Sequence, residues 1–272
     1  MTGRFPCARP SCMLVRMKDK IIVITGASAG IGAAIARKAA AEGARVVLAA
    51  RRQKELSEVA AACGPDALAV ITDVTVRSDV ESLARQAVDR FRRVDVWINN
   101  AGRGITRAPS EITDDDLDMM MRDNVKSALY GMQAILPHFK ERNAGQILNV
   151  SSMLGRIPFF ALRAAYSASK HALNALTAGL RAELRHTFPG VVVTTVSPGI
   201  VATEFGLNAL HGGLDSRSMP GAQSVDEVAD VVIDAIRNPQ IDVYTRPVYA
   251  DNVRRYYDDM DAFERASFVG PK

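Results

Sequence analysis

Short β-branched segments alternate with longer helical patterns from residue 20 to about residue 245, and this alternation constrains the fold more than any other feature. The apolar segments are nearly continuous, which is typical of strands buried on both faces of a parallel sheet. We predict strands at Ile21–Ile24, Arg45–Ala49, Ala67–Ile71, Val94–Ile98, Gln146–Val150, Val191–Val196 and, on a weaker pattern, Ile241–Tyr244. We predict helices at Ile31–Glu42, Gln53–Ala62, Ser78–Phe91, Asp115–Lys140, Ala164–His186 and Val225–Arg237. The expected fold is a single α/β domain, a doubly wound seven-stranded parallel sheet flanked by helices.

Three segments divide the 272 residues. Residues 1–17 contain two prolines and no periodicity, so we predict a flexible N-terminal extension with Met17 as the natural start of the fold. Residues 18–248 form the predicted α/β domain. Within it, the Gly- and Pro-containing stretch 199–224 has the length of a lid or binding loop. Residues 249–272 are a polar, aromatic C-terminal tail that we expect to pack on the body or on a second subunit.

The net charge of +4 comes entirely from residues 1–20, and the rest of the chain is formally neutral. The folded body is therefore not expected to bind nucleic acid. No apolar run reaches the roughly 18 residues that span a bilayer, and the first residues lack the apolar core of a signal peptide. Cys7, Cys12 and Cys63 make no disulfide framework, and the four histidines have no metal-ligand spacing. We expect a cytoplasmic protein with reduced thiols, no membrane span and no metal site.

A glycine-rich turn, residues 25–32 with the sequence T-G-A-S-A-G-I-G, follows the first strand and leads directly into a helix. Glycines in this position permit a tight turn and a close approach of the backbone to a pyrophosphate at the positive end of the helix. The alternative is a glycine-rich turn that binds nothing. A strand before the turn and a helix after it favour the phosphate site.

Tyr166 and Lys170 are four residues apart in a predicted helix, so their side chains lie on one face. An ammonium beside a phenol favours the phenolate, and we expect Lys170 to lower the pKa of Tyr166 from about 10. Such a tyrosine exchanges protons near neutral pH, as general acid–base catalysis requires. A Tyr–Lys pair at this spacing is otherwise a common surface feature.

The glycine turn resembles T-G-x-x-x-G-I-G, the fingerprint of the short-chain dehydrogenase/reductase family. Further motifs of the family follow in its order: Asn99-Asn100-Ala101-Gly102, Asn124, Ser151-Ser152-Met153-Leu154-Gly155, Tyr166-x-x-x-Lys170 and Pro198-Gly199-Ile200-Val201-Ala202-Thr203. The resemblance covers about residues 18–245 and implies a Rossmann-type catalytic domain. It departs at one place, because Ser152 precedes Tyr166 by fourteen residues, where thirteen is commoner in the family.

The resemblance implies an enzyme of the EC 1.1.1 type, which interconverts a ketone or aldehyde and an alcohol with a nicotinamide cofactor. Tyr166 would exchange the proton with the substrate oxygen, and Ser152 would donate a hydrogen bond to that oxygen. Lys170 would also bind the nicotinamide ribose, and Asn124 would hold a water beside it, unless Asn124 is purely structural. The residues implied at the cofactor are Gly26, Ser28, Ala29, Gly30, Ile31, Gly32, Arg51, Arg52, Asp73, Val74, Asn100, Ala101, Gly102, Tyr166, Lys170, Pro198, Gly199, Ile200 and Thr203.

The end of the second strand favours NADP over NAD. An acid that accepts hydrogen bonds from the adenosine ribose is expected there in an NAD enzyme, and Ala50 stands in its place. Arg51 and Arg52 follow and can bind a 2′-phosphate, although they could instead begin a solvated helix. Asp73 resembles the family aspartate beside the adenine, or it could be a helix cap.

The predicted substrate pocket is apolar and favours a lipophilic small molecule, although Arg103 and Arg107 could admit an anionic group. The residues predicted to contact the substrate are Ser152, Met153, Leu154, Phe159, Phe160, Tyr166 and Phe205. The two long helices carry the faces on which the family pairs its subunits, so we expect a homodimer or homotetramer. Met119, Met120, Met121 and Met132 supply an adaptable apolar surface on the first of them, or pack inside the subunit.

Two other functions fit part of the sequence, and further features of the sequence argue against each of them. A dinucleotide-binding redox sensor without turnover would need the cofactor motifs but none of Asn124, Ser152, Tyr166 and Lys170. An NAD-linked epimerase or dehydratase of the extended relatives would have a G-x-x-G-x-x-G turn and a larger C-terminal region, and the sequence has neither.

Overall fold

A seven-stranded, all-parallel sheet forms the centre of the computed structural model, which describes residues 17–267. The strands are β1 Ile21–Thr25, β2 Arg45–Ala50, β3 Leu68–Ile71, β4 Val96–Asn99, β5 Gly145–Val150, β6 Val191–Ser197 and β7 Asp242–Tyr244. Their order is β3-β2-β1-β4-β5-β6-β7, and every neighbouring pair is parallel. The chain order reverses between β1 and β4, so the doubly wound sheet predicted from the sequence is confirmed. Ligands of such sheets bind at the carboxyl ends of the strands beside this reversal.

Nine α-helices in the described residues connect and cover the strands. They are α1 Gly30–Ala41, α2 Gln53–Cys63, α3 Arg77–Phe91, α4 Asp114–Met121, α5 Ser127–Arg142, α6 Ala164–Thr187, α7 Val225–Arg237, α8 Pro247–Asp258 and α9 Met260–Ser267. The single helix predicted over Asp115–Lys140 is interrupted by a π-helical turn at Arg122–Lys126, where the N–H of Ser127 bonds to the carbonyl of Arg122. That turn carries Asn124.

Alternate residues of the central strands enter two separate hydrophobic cores, one on each face of the sheet. Ile22 and Leu48 pack beneath α1, α2 and α7, whereas Val23, Val47 and Trp97 pack beneath α3, α5 and α6. Every residue of β1 is buried, which explains the continuous apolar run in the sequence.

The C-terminal helices pack on the body of the same subunit. Tyr256 of α8 is buried against Met153 and Ile157, and Phe263 of α9 joins that cluster. Helical structure begins at Pro247 and continues across residue 249, where the sequence predicted the start of the tail. The helices of residues 17–267 include none that is long and apolar enough to cross a membrane.

Most of the segment predicted as an N-terminal extension lies outside the described residues. Cys7, Cys12 and the extension before Met17 lie outside the described residues. Met17 itself is buried in the core beneath α1. Cys63, at the end of α2, is a free thiol whose pKa is raised by burial.

Candidate active site

The glycine-rich turn between β1 and α1 is closely packed against the segment after β4. Gly26 has a φ of +66°, and a β-carbon there would lie 2.9 Å from the α-carbon of Ala101. A β-carbon on Gly32 would lie 2.6 Å from Nδ2 of Asn100. Helix α1 has neither a capping side chain at Ala29 nor an acid in its first turn. Its first N–H groups therefore have no side-chain acceptor among residues 17–267, and an anion at this end would find free donors.

Asn100 ties this turn to the end of β4. Its Nδ2 donates to the carbonyls of Thr25 and Gly26, and its backbone N–H, with that of Ala101, donates to the Thr25 hydroxyl. The neighbouring Asn99 instead points into the core.

A buried polar network surrounds the Asn99 side chain. Its Oδ1 accepts from the indole N–H of Trp97, and its Nδ2 donates to Asn149 of β5. Asn149 in turn donates to Thr177 of α6. The network fixes α6 against the centre of the sheet. Asn99 begins the Asn-Asn-Ala-Gly motif and was expected to border the cofactor, but its side chain is used in this network instead.

The end of β2 presents two arginines beside the glycine turn. Arg52 donates from Nη2 and Nε to the Ser28 hydroxyl at 3.1 and 3.3 Å. Arg51 is largely exposed and lies 3.9 Å from Asp73. Ala50 is buried and contributes no acid. The arrangement places two cations, and no acidic side chain at position 50, at this end of the cleft.

Asp73 and Val74 begin the turn after β3. Oδ1 of Asp73 accepts hydrogen bonds from the N–H and the hydroxyl of Thr75. Burial favours the neutral carboxyl, but these hydrogen bonds and the charges of Arg51 and Arg122 outweigh it and lower the pKa of Asp73. Asp73 therefore organises its own turn and does not cap α3, whose N-cap residue is Val76, while its second oxygen faces Arg51.

Tyr166 and Lys170 are both buried in the first turns of α6, at the carboxyl ends of β5 and β6. Nζ of Lys170 lies 5.8 Å from the centre of the Tyr166 ring and donates to the carbonyl of Val150 at 2.9 Å. Burial lowers the pKa of Lys170 to about 8. Tyr166 and Lys170 are therefore not the surface neighbours that this spacing commonly produces.

The expectation that Lys170 lowers the pKa of Tyr166 is wrong for this structure. Burial raises the pKa of Tyr166 to about 12, and the opposing influences are a hydrogen bond with Ser152 and the charge of Arg163. The Lys170 ammonium instead contacts Val150. The sequence-based prediction did not include Arg163 among the site residues, although a residue three positions before Tyr166 is expected to lie near it on a helix.

Asn124 lies in the π-helical turn and is almost fully buried. Its Oδ1 accepts from the N–H of Arg103, and its Nδ2 donates to the carbonyl of Arg103 and to the Ser169 hydroxyl. A β-carbon on Gly102 would lie 2.8 Å from Oδ1 of Asn124 and 3.5 Å from Nζ of Lys170. Asn124 thus holds the segment after β4 in place, through its hydrogen bonds with Arg103, directly beside Lys170.

The residues predicted at the substrate separate into two groups. The Phe205 ring meets the Tyr166 ring edge to face, 5.6 Å between centroids, and Leu154 packs on the cluster that contains Tyr166. Met153 and Phe159 pack instead with Tyr256 of α8. Phe160 and Phe205 are both more than a third exposed.

The segment after β6 runs between the region of Tyr166 and the glycine turn. The N–H of Met153 donates to the carbonyl of Pro198, and the Tyr249 hydroxyl abuts Gly199. Ile200 is exposed, whereas Thr203 approaches the glycine turn, with its Cγ2 3.3 Å from the β-carbon position of Gly30. The segment therefore contacts the glycine turn and the Tyr166 region.

The 199–224 loop is held at its middle by the segment after β4. Leu210 exchanges backbone hydrogen bonds with Gly104 and Thr106. Beside them, Oδ1 of Asp116 lies 2.7 Å from Nε2 of His211, and Oδ2 accepts from Arg107 at 2.9 Å. Arg107, a candidate for binding an anionic substrate, is thus already paired with a buried acid. Within residues 17–267, no group of three or more His, Cys, Asp or Glu side chains is placed to hold a metal ion.

Comparison with known proteins agrees with this geometry. The family model for short chain dehydrogenases matches residues 20–211. The chain belongs to the short-chain dehydrogenase/reductase family. An uncharacterized oxidoreductase of Staphylococcus epidermidis is 35% identical to this family member over 226 residues, 83% of the chain and 94% of the relative.

Two solved family structures are closely similar to the chain. A short-chain dehydrogenase/reductase of Burkholderia phymatum in complex with NAD superposes with a TM-score of 0.83 at 26% identity, covering 94% of this chain and 99% of that one. A short chain dehydrogenase of Burkholderia cenocepacia in complex with NADP superposes with a TM-score of 0.79 at 29% identity, covering 94% and 100%. The fold and the family are thus shown, and the relatives carry either dinucleotide.

Proposed function

We propose that this family member is an NADP(H)-dependent oxidoreductase that interconverts a carbonyl compound and an alcohol. One observation carries the proposal: Ser152, Tyr166 and Lys170 lie together in one buried site. The glycine turn lies at the same edge of the sheet. The bound nicotinamide would supply the hydride for reduction or accept it in oxidation.

Tyr166 is the proton donor in this proposal. Because burial holds its pKa at about 12, the phenol is protonated at neutral pH and can donate to a carbonyl oxygen. Ser152, its hydrogen-bond partner, would donate to the same oxygen and stabilise the charge that develops there. Lys170 would bind the nicotinamide ribose, and Asn124 would keep the adjoining backbone in place.

The adenosine end supports NADP rather than NAD. A 2′-phosphate would meet Arg51, Arg52 and the hydroxyl of Ser28, with no acid at Ala50 to repel it. The pyrophosphate would lie on the first N–H groups of α1, where the glycines leave room for it. The remaining contacts would come from Asp73, Val74, Asn100, Ala101, Gly102, Pro198, Gly199, Ile200 and Thr203.

The substrate side supports a lipophilic small molecule, since Leu154 and Phe205 lie against Tyr166. A non-catalytic redox sensor is not favoured, because sensing alone requires none of the four residues Asn124, Ser152, Tyr166 and Lys170. We also propose that the enzyme is cytoplasmic and forms a homodimer or homotetramer through α5 and α6, where Leu176 is exposed. Met120 and Met132 are buried inside the subunit and do not serve such an interface.

The deciding experiment is a screen of ketones, aldehydes and secondary alcohols with NADPH, NADH and their oxidised forms, read at the nicotinamide absorbance. We expect turnover with at least one carbonyl and a higher kcat/KM for NADPH than for NADH. Binding of NADPH without turnover of any compound would contradict the enzyme and favour the sensor. A higher kcat/KM with NADH would contradict only the cofactor assignment.

A further inference from the structure

Arg163 occupies a central position that the reaction proposed above does not use. It precedes α6 and lies three residues before Tyr166. Its Nη1 donates to the carbonyl of Ile105 at 3.0 Å, and the side chain is half-buried. Its guanidinium is close enough to Tyr166 for the two groups to perturb each other's titration.

The guanidinium lies on the substrate side of Tyr166. A β-carbon on Gly104 would be 2.8 Å from Nη1 of Arg163 and 3.0 Å from Cε1 of Phe205, so both groups border one point. The Phe205 ring in turn contacts the Tyr166 ring. Arg163, Phe205 and Tyr166 therefore form adjoining parts of one surface.

The charge of Arg163 has no acidic partner among residues 17–267. Its single hydrogen bond within these residues goes to a neutral backbone carbonyl, and the Tyr166 phenol is close enough to influence its pKa. Arg107 and Arg156, by contrast, are paired with Asp116 and Asp242. A half-buried guanidinium is usually matched by an anion, because removing it from water is costly without one.

A second donor without a partner lies beside it. The Thr106 hydroxyl is buried and has no hydrogen-bond partner in the part of the chain that the structure describes. A β-carbon on Gly213 would be 3.0 Å from both this hydroxyl and Nη2 of Arg163. The guanidinium and the hydroxyl thus lie beside each other next to Gly213, and a carboxylate that reaches this stretch of chain would find both donors, since it accepts several hydrogen bonds.

We propose that Arg163, assisted by Thr106, binds an anionic group, a carboxylate, carried by the compound that Tyr166 protonates. This inference rests on the proposed carbonyl reduction and defines its substrate class. The substrate is then an oxo acid or hydroxy acid with an apolar part that lies against Leu154 and Phe205. Arg163 acts as a specificity residue, and the chemistry at the carbonyl remains that of Tyr166.

The test compares matched acids and esters. The probes are 4-oxopentanoate, 5-oxohexanoate and 6-oxoheptanoate, each with its methyl ester, at saturating reduced cofactor. We expect kcat/KM for at least one acid to exceed that of its ester by about tenfold or more, since charge-assisted hydrogen bonds to a guanidinium are lost in the ester. Arg163→Gln should bring the ratio to about one, because it keeps an N–H donor for Ile105 without the charge. Arg163→Lys should restore part of the preference.

Arg107→Met is the matched control, because it removes a neighbouring arginine that is already paired with Asp116. We expect it to leave the acid-to-ester ratio unchanged, even where it alters the absolute rate. An unchanged ratio in Arg163→Gln, or no acid preferred in the wild type, would overturn the proposal. The wild-type ratio is informative even if a variant fails to fold.

A binding measurement separates this proposal from the reaction itself. In thermal-shift experiments on the NADP-loaded protein, the acids should raise the Tm of the wild type more than the esters do, and Arg163→Gln should abolish the difference. Equal shifts by acid and ester would overturn the anion site. Selective binding of acids with no nicotinamide oxidation across all carbonyls would instead contradict the proposed function and leave the anion site standing.

Discussion

Nε2 of His211 lies 2.7 Å from Oδ1 of Asp116, a residue 95 positions earlier in the chain. Asp116 also accepts from Arg107 and, through its capping box with Thr113, fixes the start of α4. One buried carboxylate therefore connects the 199–224 loop, the segment after β4 and α4. Since Leu210 of the same loop pairs with Gly104 and Thr106, the contact holds the loop over the Tyr166 side of the cleft.

Removing this contact should weaken substrate binding more than chemistry. For His211→Ala we expect KM for the carbonyl substrate to rise by about tenfold, because the loop loses a charge-assisted hydrogen bond, while kcat changes less. Steady-state kinetics at saturating cofactor measures both constants. His186→Ala, on an exposed part of α6, is the control and should leave both constants unchanged. A fall in kcat at constant KM would contradict a role in loop closure.

The same contact should make stability depend on acidity. The hydrogen bond with His211, together with those from Thr113 and Arg107, outweighs the effect of burial and holds the pKa of Asp116 well below its usual range. A carboxyl with a lowered folded-state pKa stabilises the fold above its unfolded pKa near 4, and this contribution is lost as the pH falls through the folded value. The Tm advantage of the wild type over Asp116→Asn should therefore be full at pH 7 and shrink below about pH 4. A difference that stays constant down to pH 3 would contradict the assignment.

Tyr166→Phe removes the proposed proton donor while keeping the ring against Phe205. We expect kcat for carbonyl reduction to fall by about 10²- to 10⁴-fold, the usual contribution of general acid catalysis. The dissociation constant for the cofactor, measured by its fluorescence, should change little. Near wild-type reduction by this variant would show that the proton comes from elsewhere.

The two arginines after β2 should contribute separately to cofactor choice. Arg52 reaches Ser28 in the glycine turn, whereas Arg51 is largely exposed beside Asp73. We expect each single alanine variant to lower kcat/KM for NADPH by about tenfold without changing that for NADH, since only NADPH carries the 2′-phosphate. Arg45→Ala, at the opposite end of β2, is the control. Equal losses with both cofactors would mean that the arginines support the fold rather than the phosphate.

Lys170 should oppose folding at neutral pH in the protein without cofactor. Burial holds its pKa at about 8 against an ordinary 10.5, so between these values the unfolded chain binds a proton that the folded chain releases. Stability therefore rises with pH across this window, by about 3 kcal/mol for a shift of this size. Urea unfolding from pH 7.5 to 10.5 should show this rise in the wild type relative to Lys170→Met. Parallel curves for the two proteins would contradict the lowered pKa.

The sequence predicted those parts of the fold that depend on local patterns. Helix α7 was predicted with its observed bounds because its apolar residues repeat at helical spacing; the structure adds that Ser224 caps it, accepting from the N–H of Glu227. Tyr166 and Lys170 were identified because a four-residue spacing on a helix predicts proximity.

The remaining features depend on contacts between distant residues. The pairing of His211 with Asp116 arises only once the 199–224 loop has folded over the cleft, and the closeness of Arg163 to Gly104 arises only once the segment after β4 and the start of α6 have packed together. The pKa of Tyr166 was predicted in the wrong direction for the same reason. The packing that buries Tyr166 raises its pKa, and Lys170 donates to the carbonyl of Val150 in β5; the spacing of residues on one helix shows neither contact.

The π-helical turn at Arg122–Lys126 changes the phase between the two halves of the long helix. One additional residue in a turn offsets the following side chains by about 100° from a continuous α-helix. Deleting a single residue there would rejoin α4 and α5 smoothly, yet it would turn Asn124 away from Arg103 or α5 away from the sheet. This stretch is therefore a point at which chain length, independently of residue identity, sets the geometry beside Lys170.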